Sequence, residues 1–183
     1  RLDQGLPGAC HHQKVVIIDD AVAFCGGGDI STDRWDTCEH LDGDPRRSLP
    51  SGLIPSPRHE VMAVMDGHAA RALGDLARER WFRSCGERPL QDHVDNDPWP
   101  DGVEPDSTDT PVAIARTEPR WYSRKEVREN ERLHLDAIKC AKHLIYMENQ
   151  YFTSPVIAAA LAERLAAAGA APAGPHIGTR RRQ

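Results

Sequence analysis

Short apolar runs alternate with polar stretches broken by Gly, Pro and Asp, and the runs place most of the elements. Residues 14–18 (Lys-Val-Val-Ile-Ile) form a strand pattern. It is apolar on both faces, which predicts a central strand covered by helices on both sides. A tight turn at Asp19-Asp20 leads to a second strand over residues 21–25, and Gly26 to Gly28 then let the backbone bend and approach a ligand closely. Residues 31–58 are polar and rich in Pro, Asp, Arg and Ser, the pattern of a long loop. Loops of that length in compact domains are usually functional or disordered. Strand pattern returns over residues 58–65, and Asp66 is placed to cap a helix. Ala69, Leu73, Leu76, Ala77 and Arg80-Trp81 form its stripe.

Asp and Pro recur over residues 86–110, which reads as a linker, and a second section begins near Pro111. The pattern there predicts a short strand at 112–115 and a helix over 126–142 with Val127, Leu135, Ile138 and Ala141 inward. A strand follows at 144–147, then a helix opened by Ser154 as cap and Pro155 in the first turn. Ile157, Leu161 and Leu165 line its buried side. The Ala/Gly/Pro-rich tail from Ala166, ending Arg180-Arg181-Arg182-Gln183, completes no further βα unit. Strands alternating with helices predict the α/β class.

Bulk numbers change this picture little. The 183 residues suffice for one sizeable domain or parts of two, and the 39% apolar content allows a core. A net charge of −5 with 28% charged residues suits a soluble or peripheral protein and argues against sequence-independent nucleic-acid binding. No apolar run is long enough to span a bilayer. The five cysteines include no Cys-x-x-Cys pair, and a zinc site from Cys10, His11, His12, Cys38 and His40 fits no standard spacing. Free, mostly buried thiols are expected instead.

The candidate chemistry lies on the first strand. His12 and Lys14 are two apart and share one face, so a nucleophile or proton carrier sits beside a fixed cation, which suits a phosphate ester. Asp19 follows at a fixed spacing, then Gly26-Gly27-Gly28-Asp29. This pattern resembles the HKD motif of the phospholipase D superfamily. The resemblance extends through Val22-Ala23-Phe24, Arg34-Trp35-Asp36-Thr37 with His40, Arg78-Glu79-Arg80-Trp81, and Ile145-Tyr146-Met147-Glu148-Asn149-Gln150-Tyr151-Phe152, in the family's order. It points to the phospholipase D and cardiolipin synthase-like branch.

The resemblance implies an α/β/α sandwich of two similar halves, each giving one HKD motif to a shared site. Residues 1–85 would be the C-terminal part of a first repeat, 86–110 a linker, and 111–183 the N-terminal part of a second. One histidine of such a pair attacks phosphorus and forms a phosphohistidine. The other protonates the leaving alcohol and later activates water or an acceptor alcohol. By this resemblance His12 is one of the two, Lys14 neutralises phosphate oxygens, and Asp19 supports the site. Asp29, Gly27 and Trp35 would meet the substrate, with Glu148, Asn149 and Gln150 near the site at a strand end. No metal or cofactor is implied. The implied partners are a phospholipid on a membrane surface and a water or alcohol acceptor, not nucleic acid. His59, His68, His93, His134 and His143 have no motif around them and read as structural or exposed.

A second His-x-Lys-x-x-x-x-Asp does not follow, and His176-Ile177-Gly178 lacks the lysine. The chain therefore reads as the middle of a larger enzyme. The expectations are a fragment, a frameshift with the Ala/Arg/Pro tail out of frame, or a site needing the missing second half or a second copy. An incomplete pair would leave apolar faces exposed. The alternative to an enzyme is a catalytically incomplete module that binds phosphate or lipid without turnover.

Overall fold

A computed structural model describes residues 6–91, 98–149, 151–169 and 176–178. The structure is mixed α/β and divides into two compact units, Arg1–Ile114 and Ala115–Gln183.

In the first unit β1 (Lys14–Ile18), β2 (Val22–Gly26) and β3 (Met62–Asp66) form an antiparallel sheet in the order β1-β2-β3. Lys14 pairs with Gly26 and Ile18 with Val22. Between β1 and β2, Asp19 and Asp20 both take positive φ (53° and 54°), and the Ala21 N–H donates to the Ile18 carbonyl at 3.0 Å. Two successive left-handed residues twist the chain in the sense a hairpin needs. The expected central strand is therefore corrected: among the described residues β2 is the middle strand and β1 lies at an edge. A run apolar on both faces cannot report which strand of a hairpin is flanked.

Helix α1 (Gly67–Cys85) packs on one face of this sheet. Ala23, Ala70 and Leu73 form the buried centre, with Val15, Ile17, Cys25, Met65, Leu76 and Ile114 around it. Val15 and Ile17 alternate with Lys14, Val16 and Ile18, so the period of two puts Lys14 on the face away from α1. The buried stripe is Ala70, Leu73 and Gly74 with Leu76 beside it, so Leu73 and Leu76 turn inward as predicted, whereas Ala77 and Trp81 are exposed. Asp66 occupies the cap position without a side-chain cap hydrogen bond. Residues 58–61 precede the strand rather than belonging to it.

The predicted loop 31–58 is held by ion pairs. It contains a single 3-10 turn, Pro45–Arg47, capped by Asp44, whose Oδ1 accepts from the Arg46 N–H at 2.9 Å. At its centre the Arg47 guanidinium bonds Asp36 Oδ1 at 2.8 Å, the Pro55 carbonyl at 3.1 Å and the Leu41 carbonyl at 2.6 Å.

In the second unit β4 (Thr117–Glu118) pairs antiparallel with β5 (Val127–Arg128), just before α2 (Glu129–Cys140). The expected strand at 112–115 is absent, and Val127 belongs to β5 rather than to the helix. Here the Arg116 guanidinium bonds both Glu129 oxygens, at 2.8 and 2.7 Å, and its N–H bonds Oε2 at 3.0 Å. That fork fixes the chain one strand later than periodicity suggests. β6 (Leu144–Tyr146) is followed by α3 (Pro155–Gly169), and Ser154 Oγ accepts from the Ile157 N–H at 3.4 Å, as expected of the cap. Ile138, Ile157 and Leu161 form the core of this unit, and Leu165 is exposed.

β7 (His176–Gly178) pairs parallel with β6. The tail thus closes a βαβ unit that the sequence reading excluded, because three residues among Ala, Gly and Pro carry too short an apolar pattern to register. Arg180 to Gln183 lie outside the described residues. The expectation of mostly buried thiols also fails: Cys10, Cys38 and Cys140 are exposed, and Cys25 and Cys85 half-buried. All but Cys25 sit in loops or at helix ends. No described helix is long and apolar enough to cross a membrane.

Candidate active site

Among the described residues β1 is an edge strand, which leaves its first residues at the rim of the sheet. Lys14 faces away from α1, and its Nζ lies 3.2 Å from Asp29 Oδ1 and 3.3 Å from the His12 carbonyl oxygen. The Lys14 side chain is only 14% exposed, whereas that of Asp29 is 45% exposed. The His12 residue is exposed beside this pair.

The glycines explain how Asp29 reaches Lys14. Gly26 lies opposite Lys14 in one ladder and Met62 in the other. A Cβ on Gly26 would run into the Val61 carbonyl and stand 2.6 Å from Met62 Cα. On Gly27 it would stand 2.7 Å from Glu60 Oε2, and the Gly27 N–H donates to the Val61 carbonyl at 3.0 Å. The close approach predicted for these glycines is thus made to the protein's own chain.

Beyond Asp29 the charges alternate. Arg34 Nε stands 3.7 Å from Asp29 Oδ2, Arg34 Nη1 3.5 Å from Asp33, and Arg58 Nη2 3.9 Å from Asp33. Ser31 donates a short hydrogen bond to Asp33, and this, ahead of the Arg34 charge, holds the Asp33 carboxyl below its ordinary range. Asp36 anchors the whole loop. Its oxygens accept from the Arg58 N–H, the Thr37 N–H, the Arg47 guanidinium and His40 Nδ1, each at 2.8 Å. These bonds, that of the Arg58 N–H first, hold its carboxyl far below the usual carboxylate range.

The structure therefore brings Lys14 together with Asp29 and the His12 carbonyl, while Gly27 lies against Glu60 and Val61. Trp35 adjoins the Asp36 anchor and is exposed. Asp19 lies at the opposite end of β1, about 17 Å from Lys14 at the rise of an extended strand. It is exposed and carries no hydrogen bond or ion pair among the described residues. Glu148 and Asn149 are exposed in the second unit, at one end of a cleft of about 420 Å³ that also includes His134 and Tyr146. Gln150 and His93 lie outside the described residues. His59, His68, His134 and His143 are exposed. Among the described residues no three His, Cys, Asp or Glu side chains are grouped to hold a metal ion.

No family model matches the chain. Individual relatives do. The chain is 31% identical over 172 residues to phospholipase D A of Dictyostelium discoideum, covering 79% of this chain. It is 25% identical over 193 residues to phospholipase D1 of Saccharomyces cerevisiae and 27% over 204 residues to phospholipase D beta 1 of Arabidopsis thaliana. Those matches cover 80% and 78% of this chain. The chain is related to the phospholipase D superfamily.

The chain spans 13%, 11% and 18% of the length of these three phospholipases D. The sequence of this phospholipase D relative does not single out the ion pairs of Arg34 and Arg58 with Asp33 or of Arg47 with Asp36. Arg34 and Asp36 lay in a segment already matched to the family, but nothing in a linear pattern says which buried carboxylate meets which guanidinium.

Proposed function

We propose that this chain supplies the first of two HKD motifs in a phospholipase D-type site. It acts on phospholipids as a phosphodiesterase, by hydrolysis or phosphatidyl transfer. The observation that carries this reading is the largely sheltered Lys14 ammonium, paired with Asp29 and bonded to the backbone carbonyl of the exposed His12, in a chain related to phospholipases D.

In this reading His12 is one of a pair of histidines; an imidazole nitrogen of one attacks phosphorus, and the bond from phosphorus to the headgroup alcohol breaks. The departing oxygen takes a proton from the second histidine of the pair. That histidine then removes a proton from water or an acceptor alcohol, whose oxygen displaces the first histidine from phosphorus. Lys14 faces the non-bridging oxygens, where a fixed cation stabilises the charge that builds. Gly27, Asp29 and Trp35 border the substrate, and Asp19 forms the hairpin turn that ends the strand. The histidine that partners His12 comes from another half of the site or from a second copy. The whole sandwich of two repeats, with divisions near 85 and 110, and the peripheral membrane surface belong to the same proposal.

The test is choline release from phosphatidylcholine vesicles by the purified chain and its His12→Ala variant. Turnover that falls at least about a hundredfold in the variant supports the enzyme. Vesicle binding without turnover in either protein would assign the chain to the binding-module alternative.

A further inference from the structure

We propose that Arg34 is a second phosphate-binding cation of this site, and that Asp29 is the carboxylate an incoming phosphate must displace. The proposal rests on the reading of Lys14 as a phosphate-facing cation.

Two arginines of one loop make the case by contrast. Arg47 is 1% exposed and its guanidinium is engaged on all sides by Asp36 and two carbonyls. Its donors serve the loop. Arg34 is 32% exposed, and its contacts with Asp29 at 3.7 Å and Asp33 at 3.5 Å are ion pairs too long for good hydrogen bonds. A guanidinium offers five donors in a planar fork that matches phosphate oxygens. Those of Arg34 are held near a site and left without a close acceptor among the described residues.

Asp29 marks where the ligand goes. One of its oxygens faces Lys14 and the other Arg34, at 3.2 and 3.7 Å. A phosphodiester presents the same feature, two non-bridging oxygens sharing one negative charge, to two cations. The Lys14 ammonium has three donors and two acceptors here, Asp29 and the His12 carbonyl, so it can turn to a new anion without leaving the strand. The surrounding charge explains why Asp29 must yield. Lys14, Arg34 and Arg58 are balanced by Asp29, Asp33 and Glu60, the last close beside Gly27. A phosphate therefore meets a neutral rim unless Asp29 swings aside, and Asp29, the more exposed partner of Lys14, can do so.

The test is the affinity of the full chain for inorganic phosphate at pH 8, followed by NMR of the lysine and arginine side-chain nitrogens. Arg34→Gln should weaken binding about fivefold and Arg34→Lys less, as for a partly exposed charged contact. Asp29→Asn should tighten binding by a similar factor, a gain that misfolding cannot mimic. If Lys14→Gln abolishes binding while Arg34→Gln and Asp29→Asn leave it unchanged, the inference is overturned and the reading of Lys14 stands. If Lys14→Gln changes nothing, both fall.

Discussion

The two ends of strand β1 are built from the same residue types and used in opposite ways. At its start Lys14 meets Asp29, a partner 45% exposed, beside an exposed histidine. At its far end Asp20 is buried and receives a 2.6 Å hydrogen bond from Arg78 on α1. Arg78 is shared with Asp75, and these carboxylates hold its guanidinium above its ordinary pKa, Asp75 first. Asp20 also lies against Gly74, where a Cβ would overlap its Oδ1. The closed end fastens the hairpin to the helix. The open end can then keep a cation whose partner is exchangeable. An ion pair meant to stay is buried and multiply bonded; one meant to exchange is left half in water, where it contributes little to stability.

The largest expected effect breaks the glycine support of the open end. Gly26→Ala puts a Cβ against backbone on β3, which cannot rotate away, and should destabilise the first unit by about 3 kcal/mol. Gly74→Ala, at the closed end, meets a side chain that can shift and gains about 1 kcal/mol of helix propensity. Its net loss should be about 1–2 kcal/mol. Urea unfolding of both variants ranks them, and a reversed order would mean that Asp20 is the more rigid wall.

The loop anchor adds a pH dependence. The Asp36 carboxyl is held far below its unfolded value, chiefly by the Arg58 N–H, with His40, Thr37 and Arg47 contributing. A depressed carboxylate stabilises the fold at pH values above its unfolded pKa, and that contribution fades as pH falls below about 4. Asp36→Asn should therefore lower Tm at pH 7, and the gap from the parent protein should narrow between pH 4 and pH 2. A gap that stays constant with pH would show that hydrogen bonding alone, not charge, holds the loop.

The strand pattern of β1 and β2 was legible because apolar residues run between polar turn signals, and the His12–Lys14 spacing was legible because a strand repeats every two residues. The stripe of α1 kept Leu73 and Leu76 but took in Gly74, which is buried because Asp20, 54 positions earlier, docks on it. Periodicity cannot register a contact of that range. The Asp36–Arg47 anchor was hidden for a related reason: charges in a polar loop look solvated, and only the fold shows that Arg47 is sheltered. The edge position of β1, which opens the rim, depends on which strands flank it and has no signature in the strand itself.

The smallest expected effect concerns Asp19, which the family pattern groups with His12 and Lys14 but the fold puts at the hairpin tip. Its φ of 53° suits glycine better than any residue with a Cβ. Asp19→Gly keeps that turn and removes a carboxylate that has no partner among the described residues. Stability should change by no more than about 0.5 kcal/mol, because relief of the left-handed backbone offsets the added freedom of the unfolded chain. Phosphate affinity should also be unchanged, since about 17 Å of strand separates Asp19 from Lys14. If affinity falls while the unfolding midpoint holds, Asp19 acts on the open end through the strand, and the division of β1 into a fastening end and an exchanging end is too simple.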